Sequence, residues 1–524
     1  MKTIYRFLTA ICTCLSLCCC KDPFQDGIFK AYDEDPVGVY LSKDADYTMW
    51  VSLLKKADVY NALNLGSGEF TCFVVRNEAV QLYLSEHGYE SIDDIPMDEL
   101  DYLVRYHIIS GKKYLNSDLL LKLSFPTVSG DFLTAGIDLD TEQRYIDNGE
   151  EAEPSYIIEK DIKVSNGIIQ CLDRMLAPIT MTVWDIISRN QSYSIFTEAL
   201  KATGMDQWLD RAYVEINEVT IRDMKSVFVV PDAVFNSRDI ADFDALKTFF
   251  GNGDPADEES DMYQWMLYHM FDKLVGYEEL TTFPSGHKSM IYYTRSKRKG
   301  LSVLDANGMI TINPEFEGES FHINDAKRDI PANNGYVHEI DNLGLLPERM
   351  SHYVVLWEPT DKKEFQTIPF YRTSKASGDE AAVYSLVDND LKVEGIRWES
   401  IPDTKAKVWY SNEYATNGRY MNSDALHWNL GTIGWLELDV PVLPLGKYQV
   451  FCEKYNTSTD GGKGYTWFDD QYINDNEVNF ATGANYASWK TFTLTKEETH
   501  LIRFTVGSSA GTFGVDKFVF VPVE

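Results

Sequence analysis

Apolar positions along the chain follow three successive regimes. At the N-terminus Lys2 and Arg6 precede an uncharged stretch, 7–19, too short to span a bilayer. From about residue 38 to 347, continuous apolar runs of strand length alternate with segments of helical spacing, as in 70–75 followed by 100–109. One such segment, 183–200, predicts a single helix. Beyond Pro347 the helical period disappears, and Trp, Tyr and Thr fill short runs broken by Gly, Asn and Pro. The runs 381–387, 406–410, 434–440, 447–455, 489–494, 501–506 and 513–522 predict strands of an antiparallel sandwich. Within 434–440, Leu436, Leu438 and Val440 alternate with Glu437 and Asp439, the period of a half-buried strand.

The middle regime repeats itself. A buried-strand run leading into an Ala-containing segment occurs at 70–80 and again at 226–235, where Asn77 and Asp232 are placed to cap a following helix. A helical stretch ending in Tyr-His occurs at Tyr106-His107 and at Tyr268-His269. A strand–turn–strand with Asn-Gly at its turn occurs at Asn166-Gly167 and Asn334-Gly335, closing in Leu176-Ala177-Pro178 and Leu345-Leu346-Pro347. Phe73 and Phe228 lie 155 residues apart, His107 and His269 162, and Asn166 and Asn334 168. A unit of this size is a duplicated domain, too long for a solenoid repeat.

Three linked motifs in this order resemble the fasciclin (FAS1) domain, with its Pro-x-Asn-x-Ala-Phe segment, Tyr-His motif and closing Asn-Gly segment. The second copy keeps Pro231, Ala233 and Phe235, whereas the first has Arg76 at the proline position. The resemblance covers roughly 38–347. It implies compact α/β wedges serving adhesion or scaffolding, with no catalytic constellation. His107 and His269 are read as fold determinants that satisfy helix-end carbonyls, and Asn-Gly as a turn requiring positive φ.

The C-terminal strands, with Gly434-Trp435-Leu436 and the closing run from Val515 to Pro522, resemble a galactose-binding-like jelly roll, a shape shared by carbohydrate-binding modules. Trp428, Tyr465, Trp467 and Tyr472 lie in Gly-, Asp- and Asn-rich segments and are the candidate glycan contacts, against a reading as packed loop residues. The fold class is therefore α+β: two tandem FAS1-like domains, 38–180 and 181–348, followed by an all-β jelly-roll sandwich, 349–524.

Charge and cysteine usage narrow the function. With 48 Lys and Arg against 81 Asp and Glu, the formal charge of −33 opposes nucleic acid as a partner. The basic stretch 295–299 reads as a solvated hairpin turn. Cys72, Cys171 and Cys452 give neither a zinc spacing nor a disulfide framework; Cys72 and Cys171 are either bridged or two separately buried thiols. Asp469, Asp470 and Asp475 lack EF-hand spacing, and no metal or cofactor is assigned. Walker A, Rossmann, His-Glu-x-x-His and Gly-x-Ser-x-Gly motifs are absent, so no enzymatic activity is assigned.

Leu17-Cys18-Cys19-Cys20 fits a lipobox, making 1–20 a signal peptide with lipidated Cys20 and 21–37 a polar linker. The acidic residues after Cys20 resemble surface-export signals of Bacteroidetes lipoproteins. The expected protein is a non-enzymatic lipoprotein of the outer membrane, held through its lipid anchor, with the cell surface favoured over the periplasmic face. It would mediate adhesion or bind a protein or glycan partner. The alternative is a glycan-binding accessory subunit of a nutrient-uptake system, in complex with a TonB-dependent transporter.

Overall fold

The computed structural model describes residues 34–523 except 66–67, 120, 124–125, 149–151, 373–381, 401–405, 413–423, 455–460, 474–476 and 481–485. Cys20 lies outside the described residues. Among those described, no helix is long and apolar enough to cross a membrane. They form two compact units, one running to Asp147 with Pro154–Leu176, the other holding Asn148–Glu153 and everything from Ala177.

In the first unit, strand Phe70–Val75 is apolar on both faces because it is interior to the sheet. It pairs antiparallel with Ile108–Ser110 and parallel with Gly167–Leu172. The sheet continues through Ser155–Val164 to three short strands. Helices Thr48–Lys56, Asn77–His87 and Met97–Tyr106 turn Trp50, Leu54, Val80, Leu103 and Val104 into the core that Phe73 and Val75 share. Cys72 and Cys171 are free, buried thiols, with Ile169 opposite Cys72 and Val74 opposite Cys171.

The second unit repeats this arrangement. Strand Lys225–Val229 lies between antiparallel Met270–Phe271 and parallel Gly335–Glu339. The predicted helix 183–200 is instead two, Val183–Arg189 and Ser194–Ala202. Asn190 adopts extended backbone and its side chain accepts from the Ser192 amide, so the first helix ends there.

Two local expectations are corrected in both copies. Asn77 and Asp232 are the first residues of their helices, with Arg76 and Pro231 at the N-cap positions. Their side chains instead satisfy the start of an earlier helix, accepting from the Met49 amide at 2.9 Å and the Ile195 amide at 3.0 Å. The Asn-Gly glycines do not supply positive φ, because the turns are Ser165-Asn166 and Asn333-Asn334 and each glycine begins a strand. A Cβ on Gly167 would stand 2.7 Å from the Phe70 carbonyl oxygen, and one on Gly335 would collide with that of Lys225. Glycine is needed there for close backbone approach.

The asparagines themselves are buried connectors. Asn166 accepts from the Val37 amide at 3.0 Å and donates to the carbonyls of Leu63 and Leu65. Asn334 accepts from the Val183 amide at 2.8 Å and donates to those of Leu209 and Arg211.

The C-terminal strands form two sheets that share one core. Leu426, Trp428, Val450 and Phe518 come from one, Leu436, Leu438, Ile502 and Phe504 from the other. The first of these sheets does not stop at the sandwich. Val354–Trp357 pairs antiparallel with Phe513–Pro522 and parallel with Ser289–Tyr292, so a single ten-stranded sheet runs from the second repeat into the sandwich. Ile291 is accordingly a member of the sandwich core.

The basic stretch 295–299 does connect a hairpin, Ser289–Tyr292 to Leu301–Ala306, but its charges are paired rather than merely solvated. Arg295 lies over the Trp208 ring at 4.1 Å, Arg298 pairs with Asp261 at 3.2 Å, and Lys297 and Lys299 pair with the sandwich residues Glu394 and Glu497.

Candidate binding face

Strands Lys463–Phe468 and Gln471–Tyr472 form a hairpin turned at Asp469, whose φ is 51°. Gly464, Thr466 and Phe468 are buried, so the period of two turns Tyr465 and Trp467 to the outer face of the sheet. Trp467 lies directly opposite Tyr472. Their ring centroids are 4.9 Å apart with planes at 73°, and Tyr465 approaches Tyr472 at 5.3 Å. Three of the four aromatic candidates therefore converge on one half-exposed cluster.

The fourth does not. Trp428 alternates inward with Leu426 on strand Asp424–Asn429, is 1% exposed, and stacks on Phe513 at 5.7 Å with planes 6° apart. Its polar flanks suggested a loop, but strand pairing on both sides of it fixes it as a core residue.

Two rows of outward side chains extend from the hairpin across the sheet. One runs Tyr465, Thr505, Trp435, Glu399; the other runs Trp467, Arg503, Glu437, Arg397. Arg503 pairs with Glu437 at 2.6 Å while its guanidinium lies 5.0 Å from the Trp435 ring centre. Trp435 Nε1 donates to Glu399 at 2.9 Å, and Arg397 pairs with Asp439 at 2.6 Å and with Glu437 at 3.3 Å. At the other end, Glu477 accepts from the Ser508 hydroxyl at 2.5 Å, which holds its carboxyl below the usual range. The charge on Glu477 raises the Tyr465 phenol, with which it also hydrogen-bonds.

This face offers aromatic surface, carboxylate acceptors and guanidinium groups fixed by their partners. Ion pairs of this kind contribute little to stability when exposed, but they hold the flanking rings in place. Sequence reading missed Trp435 and Arg503. Trp435 shares its parity with Glu437 and Asp439, so the alternation already marked it as outward, whereas Arg503 carried no comparable signal.

Of the repeated motif residues, His107, Asn166, Gly167, His269, Asn334 and Gly335 are buried inside their own units, whereas Ala233 is exposed. His107 donates from Nδ1 to the Leu103 carbonyl at 2.8 Å and accepts at Nε2 from the Leu176 amide at 2.9 Å. His269 Nδ1 donates to the Trp265 carbonyl at 2.8 Å. Burial holds both imidazoles down to about 4. Asp469 accepts from His500 and from the Leu501 amide, and Asp475 lies outside the described residues. Among the described residues no group of His, Cys, Asp and Glu is arranged to hold a metal ion.

No curated protein matches the chain. Among solved structures it is similar to the FAS1 domain pair of the insect cell adhesion molecule fasciclin I, at 17% identity over 58% of this chain and 94% of that one, with a TM-score of 0.26. It is also similar to a family 35 carbohydrate-binding module from Clostridium thermocellum, at 16% identity over 28% of this chain and 100% of that one, TM-score 0.18. A CBM35 from Paenibacillus barcinonensis gives 14% identity over 27% of this chain and 99% of that one, TM-score 0.18. Residues 45–178 match the family described as the Fasciclin domain, so the first unit of this chain carries a fasciclin domain.

Proposed function

We propose that this chain is a non-enzymatic binding lipoprotein of a Gram-negative outer membrane, anchored through acylated Cys20. In this reading two fasciclin units carry a sandwich whose aromatic face engages a glycan. The observation that carries it is the convergence of Tyr465, Trp467 and Tyr472 on an outward face. Clustered rings offer the apolar C–H face of a pyranose a surface at small entropic cost, since each ring has only two side-chain torsions. The fasciclin match supports the adhesive part of the reading.

The test is a glycan array probed with the full mature chain, beside Trp467→Ala. Glycan binding by the parent and its loss in the variant support the proposal; an array blank for both refutes its glycan part. Anchoring is tested separately by Cys20→Ser, which should move the protein from the membrane to the soluble fraction. The second reading, a glycan-binding accessory of nutrient uptake, uses the same face and predicts co-purification with a TonB-dependent transporter.

A further inference from the structure

We infer that the ligand of the aromatic face is an uncharged glycan, excluding uronate-rich and sulfated polymers; this rests on the glycan-binding reading above. Recognition of an anionic sugar is favoured by a cation free to meet it, and both guanidinium groups in the two rows of described residues are already committed. Arg503 is held by Glu437 and Arg397 by Asp439 and Glu437. Lys463 lies exposed at the hairpin's edge and is a minor partner of Glu477, whose carboxyl is lowered chiefly by its hydrogen bond from Ser508.

Drawing Arg503 toward a ligand carboxylate would leave Glu437, which is only 8% exposed, with only the longer Arg397 contact at 3.3 Å. Weakening the pairing of a largely buried carboxylate is costly, which disfavours the exchange. Among the described residues of the two rows and their flanks, Glu399, Glu437, Asp439 and Glu477 outnumber Arg397, Arg503 and Lys463, and the whole chain carries −33. An approaching polyanion therefore meets repulsion both at the face and at longer range. The same carboxylates are acceptors only, which suits a ligand rich in hydroxyl donors. Trp467, Tyr465 and Tyr472 supply the surface for its C–H face, and Trp435, pinned by Glu399, extends that surface across two strands.

The experiment is affinity electrophoresis and calorimetry of the full mature chain at low and high salt. The probes are neutral glucans, mannans, xylans and galactans against polygalacturonate, alginate and a sulfated galactan. The expected result is binding to at least one neutral polymer, with an affinity that changes less than about twofold with salt. Trp467→Ala should weaken it about tenfold or more without moving the melting temperature. Binding to an acidic polymer that weakens with salt would overturn this inference while leaving the glycan-binding proposal standing. Binding to no glycan at all would overturn both.

Discussion

Gln170 and His338 bridge the same two backbone points in the two repeats with different chemistry. Gln170 accepts from the Asp161 amide at 3.0 Å and donates to the Tyr114 carbonyl at 3.1 Å. His338 accepts at Nδ1 from the Asp329 amide at 3.0 Å and donates from Nε2 to the Val275 carbonyl at 2.9 Å. Asp161 and Asp329 both take left-handed backbone, with φ of 57° and 52°, so the backbone conformation at the residue that each side chain bridges is itself repeated. A planar side chain with one acceptor and one donor at opposite ends meets the requirement in either form.

His338→Gln should therefore cost less than about 1 kcal/mol, whereas His338→Leu, which leaves the Asp329 amide and Val275 carbonyl unpaired, should cost about 2–4 kcal/mol. Denaturant unfolding of the full chain distinguishes the two. Equal losses for both variants would show that the bridge is not what the position requires.

Acid should destabilise the fold through its buried histidines. His107 and His269 are held down to about 4 and His338 is also lowered, each chiefly by burial. The unfolded chain takes up these protons near pH 6.5 and the folded chain does not. Their contribution is therefore complete above pH 6.5 and falls as the pH drops toward 4, by about 3 kcal/mol for each of the first two. Melting temperature measured from pH 7.5 to 4.5 should decline, and His107→Gln should flatten the decline.

Asn166→Ala and Asn334→Ala each remove one acceptor and two donations from a buried site. Each should lower stability by about 2–4 kcal/mol. The check is calorimetry of each variant, with the loss confined to the transition of the unit that carries the substitution.

A fragment beginning at residue 349 lacks Ile291 and the strand that pairs with Val354 and Val355. It should be poorly packed, with weak near-ultraviolet dichroism, while 181–524 melts cooperatively. A well-packed 349–524 fragment would show that the shared sheet is dispensable.

The two tryptophans separate packing from binding. Trp428→Ala empties a core position and should cost about 3–5 kcal/mol. Trp467→Ala, on the outer face, should leave the melting temperature nearly unchanged and weaken glycan retention about tenfold or more.

Short-range chemistry was legible where it repeats. The strand-length runs within 70–80 and 226–235, the helices ending at His107 and His269, and the alternation through Leu436 and Leu438 depend on spacing along the chain, and spacing is what a sequence displays. The resemblance to the fasciclin family followed from the order of those patterns. The role of Gly335 was not legible, because a carbonyl 110 positions earlier, on Lys225, decides it.

The aromatic face shows the same division. Tyr465, Trp467 and Tyr472 stood out as exposed-type residues near turns, but nothing local distinguishes them from Trp428, which is equally aromatic and equally flanked by polar residues. Only strand pairing assigns one to the core and the others to the surface. The repeat, the element types and the acidic character of the chain were readable from residues alone, since these depend on neighbours and on totals. The tertiary structure decided that the second repeat and the sandwich share one sheet, and that Trp435 and Arg503 join a face begun by a distant hairpin. Those outcomes depend on register between strands far apart along the chain, where a one-residue shift would reverse every side chain.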